Sequence, residues 1–119
     1  MNLNGQLMKK NLSTLVAISE LKDNWNGYGA HAFSKGLIDR CRNILHQLPV
    51  QPEVYPTACD SIQFEWGTAD GRYMDVEVPE YGLTGMYKML PNKTWQIQYI
   101  SDETLIEDLC KEIIEFIGE

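Results

Sequence analysis

Three acidic side chains alternate with apolar ones in two neighbouring segments of the chain. Glu65 lies in residues 62–66, and Asp75 and Glu77 lie in residues 73–78. If both segments form paired strands, the period of two places all three carboxylates on the same face of a sheet. Carboxylates that lie close together raise one another's pKa, and they can then bind a cation or transfer protons. Acidic residues on the solvated face of an antiparallel sheet are also ordinary, so both interpretations stay open.

A short loop with two large aromatic residues is the most informative segment of the chain. Residues 25–30 read Trp-Asn-Gly-Tyr-Gly-Ala, and the Asn-Gly step predicts a tight turn because it readily takes positive φ. Trp25 and Tyr28 can fill the gap between the first two helices and the sheet, with a hydrogen bond to the polar end of each ring. Alternatively, they can present an aromatic anchor to a partner. The candidate binding residues are therefore Trp25, Asn26, Tyr28, His31, Glu65, Trp66, Asp75 and Glu77.

Other common catalytic and ligand-binding patterns are absent from the sequence. The Gly-Tyr-Gly of the loop lacks the further glycines of a dinucleotide motif and the Gly-Lys-Ser/Thr of a phosphate loop. His31 and His46 are the only histidines, and no histidine or cysteine pair has a metal-binding spacing. Cys59 or Ser34 could join His31 and Asp60 in a nucleophilic site, but no local motif supports one. We therefore predict no catalytic residue, no metal site and no cofactor.

The composition sets the broad class of protein. The chain has 119 residues, of which 44% are hydrophobic, and 10 Lys and Arg against 17 Asp and Glu give a net charge of −7. This predicts one globular domain over residues 1–119. The acidic balance argues against nucleic acid as a partner, because nucleic-acid binding depends on Lys and Arg. No apolar run approaches the roughly 20 residues of a membrane span, and the N-terminus lacks a signal-peptide pattern, so we expect a cytoplasmic protein without a membrane partner.

The charges are unevenly distributed along the chain. Residues 1–50 contain six Lys and Arg against three acids, whereas residues 51–119 contain four Lys and Arg against fourteen acids. Such an asymmetry fits a polar surface for a partner, self-association between unlike faces, or only solubility. The acidic half also contains the segments predicted to form the sheet.

Apolar periodicity predicts three helices and three or four strands. The first helix spans residues 5–22, and the second begins after Ser34, a good N-cap, and ends before Pro49. A proline-rich connector follows. Ser101 can cap a third helix that has Asp102 and Glu103 in its first turn. Short turns separate strands predicted at residues 62–66, 73–78, 83–90 and 95–99.

These elements combine into an α+β fold. The short turns favour an antiparallel meander of three to four strands. One face of this sheet is apolar and needs a cover: Ile62, Phe64, Trp66, Met74, Val76, Val78, Trp95, Ile97 and Tyr99. The two N-terminal helices and the C-terminal helix each have an apolar stripe. We therefore predict two layers, with all three helices over the apolar face of the sheet.

The loop and the segments after it also carry a family resemblance. A leucine-rich helix, Trp-Asn-Gly-Tyr-Gly-Ala and a second helix resemble a family of small, uncharacterised bacterial and phage-encoded proteins with the hallmark Trp-Asp-Gly-Tyr-Gly-Ala. Their proline-rich connector, Thr-x-x-Asp-Gly turn and Glu-Trp strand match Pro52, Pro56, Thr57, Asp60, Glu65 and Trp66. The chain departs at Asn26, where Asp is usual, and at Ser61, where Gly is usual. The resemblance covers about residues 12–66 and implies no activity.

Size, acidity and the resemblance favour a non-enzymatic, cytoplasmic protein-interaction module. A basic protein partner would suit the acidic face of the sheet and the last helix, as in an antitoxin-like or immunity-like role. A homodimer built on the edge of the third or fourth strand is a further possibility. The alternative function is a small hydrolase or a cation-dependent enzyme that uses the carboxylates on the sheet face, together with Asp60 or His31.

Overall fold

The computed structural model describes residues 3–118, and over these it contains three α-helices and five β-strands. In chain order the elements are α1 (Leu3–Ser19), α2 (Lys35–Leu45), β1 (Glu53–Pro56), β2 (Ser61–Gly67), β3 (Tyr73–Pro79), β4 (Thr84–Met89), β5 (Trp95–Ile100) and α3 (Leu105–Gly118). The fold is therefore α+β, as predicted. No helix between residues 3 and 118 combines the length and the apolar composition that crossing a membrane requires.

The five strands form one sheet in the order β1-β2-β3-β4-β5, and each neighbouring pair is antiparallel. The sheet thus has one strand more than the three to four that the sequence predicts. The additional strand, β1, comes from the proline-rich connector. Proline favours extended backbone in the residue before it, and Val54 pairs with Phe64 and is buried, so this segment adds to the edge of the sheet.

Alternation in the central strands creates one buried face. In β2 and β3 the even-numbered residues are buried, and the odd-numbered ones after Ser61 are partly or fully exposed. The buried side chains of these strands join those of all three helices in a single hydrophobic cluster. Burying an apolar side chain of this size contributes roughly 1.5–3 kcal/mol, so this cluster dominates the stability of the fold. Its strand members are Val54, Ile62, Phe64, Trp66, Met74, Val76, Val78, Met86 and Ile100.

The strand β5 presents its aromatic residues to the other face, and the predicted burial of Trp95, Ile97 and Tyr99 is therefore wrong. These side chains are 47%, 54% and 61% exposed. The register pairs Ile97 with Tyr87, which pairs with Asp75, so all three residues lie on the face away from the core. The reason is the hairpin before β5, where Leu90 N donates to Thr94 O at 2.8 Å and fixes this register.

The third helix begins later than predicted. It starts at Leu105, with Glu107 and Asp108 in its first turn, because residues 101–104 form a separate turn. Asp102 instead accepts a hydrogen bond from Arg40 Nη2 at 2.5 Å. The same guanidinium group donates to other groups at the ends of β3 and β4: Pro79 O at 2.8 Å and Thr84 Oγ1 at 3.1 Å. The guanidinium group of Arg40 thus links α2 to the ends of β3 and β4 and to the turn before α3.

Of the predicted boundaries of the first two helices, only the start of α2 agrees with the structure. Ser34 is the N-cap of α2, and its side-chain oxygen accepts from Leu37 N at 3.2 Å, as predicted. The helix α1 ends at Ser19, three residues before the predicted end. A tighter turn follows it, in which Leu21 N donates to Ile18 O at 3.1 Å. A turn with the hydrogen bonding of a 3₁₀-helix, and not of an α-helix, therefore precedes the aromatic loop.

A buried polar contact joins α1 to the connector before β1. Asn11 is 2% exposed, and its Nδ2 donates to Gln51 Oε1 at 3.0 Å and to Pro52 O at 2.9 Å. Gln51 is also buried and donates from Nε2 to Leu45 O at 2.7 Å, at the end of α2. These polar groups are costly to bury without partners, so the network fixes how the two helices meet the connector.

We expect Asn11→Ala to lower the free energy of unfolding by about 2–3 kcal/mol, because it leaves the buried Gln51 and Pro52 oxygens without their donor. Urea denaturation followed by circular dichroism measures the change. Asn43→Ala, on the exposed side of α2, is the control and should stay within about 0.5 kcal/mol of the wild type. Equal effects of the two substitutions would contradict this role of Asn11.

Candidate protein-interaction surface

The face of the sheet away from the core carries most of the candidate binding residues. We call this the open face. The strand pairs Glu65–Asp75, Asp75–Tyr87 and Tyr87–Ile97 place these side chains in one row across four strands. The neighbouring row contains Gln63 and Glu77. Apart from Ser61, Gly67, Pro79, Gly85 and Met89, the open face consists of Glu53, Tyr55, Gln63, Glu65, Tyr73, Asp75, Glu77, Tyr87, Trp95, Ile97 and Tyr99.

The predicted grouping of Glu65, Asp75 and Glu77 on one face is confirmed. The Tyr73 hydroxyl donates to Glu65 Oε1 at 2.6 Å, and Gln63 Nε2 donates to the same oxygen at 2.7 Å. The Ser61 hydroxyl donates to Glu77 Oε1 at 3.1 Å. Neighbouring side chains thus hold these carboxylates in place, which reduces the side-chain entropy that binding would otherwise remove.

The carboxyl group of Asp75 lies in an unfavourable position for a negative charge. Partial burial raises its pKa, the nearby Tyr73 hydroxyl group acts in the opposite direction, and the charges of Glu65 and Glu77 raise the pKa further. A raised pKa means that the folded protein disfavours the ionised form. A neighbouring positive charge would lower this pKa and favour the ionised form.

Aromatic rings surround the carboxylates. Tyr73 and Trp95 meet edge to face, with ring centroids 5.7 Å apart. Tyr87 lies over Gly85, where a Cβ atom would be 2.9 Å from the Tyr87 hydroxyl oxygen. A hydrogen bond with Tyr99, partial burial and nearby charges raise the pKa of Tyr87 to about 12. The raised pKa keeps the Tyr87 hydroxyl group neutral, and uncharged aromatic residues of this kind are enriched at protein interfaces.

A shallow depression lies between the acidic and the aromatic residues of the open face. Its volume is about 420 Å³, and its lining residues are Gln63, Asp75, Glu77, Tyr87 and Trp95. Two carboxylates therefore share a concave surface with two ring systems. The acidic members follow from the sequence, whereas the aromatic ones do not, because Trp95 was predicted on the buried face and the alternation of β4 is irregular. The separation of two residues between Gly85 and Tyr87 was the available signal that both lie on one face of β4.

The aromatic loop places its two rings differently. Trp25 is partly buried, donates from Nε1 to His31 O at 3.0 Å, and packs against Phe33 with ring centroids 5.9 Å apart. Tyr28 is 93% exposed. Trp25 thus packs within the loop and has a hydrogen bond to its ring nitrogen, as predicted for a structural role, whereas Tyr28 fills no gap and its ring is exposed.

Side-chain amides hold the backbone of this loop. Asn26 Oδ1 accepts from Tyr28 N at 2.9 Å and from Ala30 N at 3.1 Å. Asn24 Oδ1 accepts from Gly29 N at 2.8 Å, and Asn24 itself has a φ of 66°. The predicted turn with positive φ is present at Gly27, where φ is 78°. The role of Asn26 is therefore to organise the loop through its oxygen atom.

The remaining candidates lie apart from the carboxylates of the open face. His31 Nδ1 lies 3.1 Å from Asp60 Oδ1, at the turn between β1 and β2, and both side chains are well exposed. Trp66 is 3% exposed on the core side of β2, and its Nε1 donates to Val50 O at 3.0 Å. Within residues 3–118, no group of three or more His, Cys, Asp or Glu side chains is arranged to hold a metal ion.

The raised pKa of Asp75 predicts how stability changes with pH. Because the folded protein binds this proton more tightly than the unfolded chain, the stability that Asp75 contributes falls as pH rises through its folded pKa. We expect Asp75→Asn to raise Tm at about pH 7 and to have little effect at about pH 3, where both chains are neutral at this position. Calorimetry across this range tests this. Glu103→Gln, on the exposed turn before α3, is the control, and a lower Tm for Asp75→Asn at neutral pH would contradict the assignment.

The loop geometry predicts that only the oxygen atom of Asn26 matters. Asn26→Asp keeps an acceptor for both backbone N–H groups and should leave the urea midpoint almost unchanged. Asn26→Ala removes that acceptor and should cost about 1 kcal/mol. A large loss of stability in Asn26→Asp would show that the amide nitrogen has a role as well.

Comparison with known proteins does not extend this description. No protein-family model, no curated protein and no solved structure matches the chain. The family resemblance of residues 25–30 and the segments after them therefore stays a prediction.

Proposed function

We propose that this protein is a non-enzymatic interaction module that binds a basic protein partner through the open face of its sheet. In this proposal the helices form one layer and the sheet a second, which leaves the open face free for the partner. The observation that carries the proposal is the composition of that face. Its strand positions hold four acidic residues among aromatic ones and include no Lys or Arg.

A partner rich in arginine would complement this composition. A guanidinium group can donate two parallel hydrogen bonds to a carboxylate such as Asp75 or Glu77. It can also lie over an aromatic ring, an interaction worth roughly 0.5–2 kcal/mol depending on how far the site is desolvated. The depression lined by Asp75, Glu77, Tyr87 and Trp95 offers both types of contact within one surface. Neither a nucleic acid nor an acidic membrane surface would be attracted to it.

The overall charge distribution supports the same proposal. The sheet and α3 belong to residues 51–119, which contain fourteen acids and four Lys and Arg. Such a field speeds the approach of a basic protein and orients it before contact. An antitoxin-like or immunity-like role in the cytoplasm would require this combination of small size, acidic surface and fast association with a basic protein.

The alternative function, a small hydrolase or a cation-dependent enzyme, would use the same carboxylates. It would also need a base or a metal ion close to them. His31 lies against Asp60 at the end of the sheet, while Glu65, Asp75 and Glu77 lie along the strands. This separation favours the binding function.

Neutralising the charge of the open face and then attempting to recover a partner tests the proposed function. We expect the wild-type protein, used as bait in an extract of its native host, to retain a basic protein that the double variant Asp75→Asn/Glu77→Gln loses. With the purified partner, the variant should bind at least tenfold more weakly, or about 1.4 kcal/mol. Isothermal titration calorimetry measures this difference, which should shrink as salt is added because salt screens the charges.

A matched control changes the same charge elsewhere. Glu107→Gln/Glu115→Gln removes two carboxylates from exposed positions of α3 and should bind like the wild type. If both double variants bind equally well, or if no stable basic partner is recovered, the proposed function is wrong.

A further inference from the structure

The two edges of the sheet differ in how they are protected from pairing with another strand. The edge strand β1 has only four residues, ends in Pro56, and carries Glu53, which Lys10 of α1 contacts at 3.2 Å. Short length, charge and proline are the features that block further pairing. The other edge strand, β5, reads Trp-Gln-Ile-Gln-Tyr-Ile and has no charge and no proline, and only Ile100 is buried. One edge is therefore protected and the other is available.

The hairpin between β4 and β5 determines which backbone groups of β5 point outwards. Leu90 N donates to Thr94 O, so Leu90 and Thr94 form a hydrogen-bonded pair. In an antiparallel ladder such pairs alternate with non-hydrogen-bonded pairs. The even-numbered residues of β5 therefore bond to β4. The backbone N–H and C=O groups of Trp95, Ile97 and Tyr99 point away from the sheet, along its free edge.

We propose that this edge pairs with the same edge of a second copy of the chain, antiparallel and in register about Ile97. The two-fold axis passes between the two Ile97 residues and places each Trp95 opposite the partner subunit's Tyr99. Residues opposite one another in a sheet share a face, so these apolar side chains meet on the open face. Each of the pairs can exchange two backbone hydrogen bonds. The result is one continuous sheet through both copies.

This register is the one that uses the edge fully. A shift by one residue would place open-face side chains opposite core-side ones, which the pleat forbids. A shift by two would move one outward-pointing residue of each copy beyond the end of the other strand. In the register about Ile97, the exposed apolar side chains of Trp95, Ile97 and Tyr99 all gain a cross-strand neighbour.

Charge favours a second copy over a basic partner at this position. The chain carries a net charge of −7, so two copies repel one another. This repulsion is weakest for a contact that is itself uncharged and lies far from the acidic residues. The strand β5 provides such a contact. The acidic residues Asp75 and Glu77 lie on β3, two strands inwards, so the two groups would be about 24 Å apart at about 4.8 Å per strand. That distance is well beyond the Debye length of about 8 Å.

The oligomeric state tests the proposal. Sedimentation velocity and light scattering of the wild-type chain should give twice the 13.6 kDa of one copy. Ile97→Lys places two positive charges opposite one another at the axis and should give a single copy. Ile114→Lys, at an α3 position that is 60% exposed, is the matched control and should remain a dimer. A single-copy wild type, an assembly larger than two, or equal dissociation of both variants would overturn the proposal.

Cross-linking tests the register. In a Cys59→Ser background, which removes the exposed native thiol, Ile97→Cys should form a disulfide between copies on mild oxidation. Paired strands hold such Cα atoms about 5.5 Å apart, within the disulfide range. Gln96→Cys should cross-link at least tenfold less, because residue 96 lies opposite residue 98 of the other copy. Equal yields would contradict this register. Asp75→Asn/Glu77→Gln should still dimerise, which separates this proposal from the proposed function.

Discussion

The burial of one face of β2 and β3 is the constraint on which the rest of the structure depends. Phe64 and Val76 pair across these strands, have no exposed surface, and belong to the same hydrophobic cluster as residues of the helices. Within residues 3–118, the buried hydrophobic residues of the three helices all belong to that one cluster. The pleat then presents every second residue to the other side, where the side chains of β2 and β3 after Ser61 are partly or fully exposed. The open face is therefore a direct consequence of how the core is made.

The fold could be predicted from sequence wherever a local pattern had only one solution. The alternation around Phe64 and Val76 identified β2 and β3 with the correct faces, and Ser34 marked the start of α2. The pattern of β5 was equally regular, but its aromatic residues face outwards because a hairpin fixes its register. Periodicity shows that two faces differ and does not show which one the helices reach. The start of α3 was predicted too early for a similar reason, because the side chain of Asp102 accepts a hydrogen bond from Arg40 of α2, which is distant in sequence.

The candidate surface was predictable in part. The three carboxylates follow from strand alternation alone, and so does their common face. Their aromatic neighbours depend on the order of the strands, because Tyr87 and Trp95 approach Asp75 only when β4 and β5 are added beyond β3. His31 and Asp60, which are 29 residues apart in sequence, meet through a contact between a loop and a turn that no local pattern indicates. Long-range pairing of this kind comes from tertiary structure.

The exposed ring of Tyr28 has a consequence for how this fold can vary. The loop around it is held by backbone groups and by the side-chain oxygens of Asn24 and Asn26. The identity of the residue at position 28 is thus uncoupled from folding, while its location is rigidly defined. Such a position can change freely between related chains and still present its side chain at the same point in space. The side chain at this position can therefore be replaced without a loss of stability.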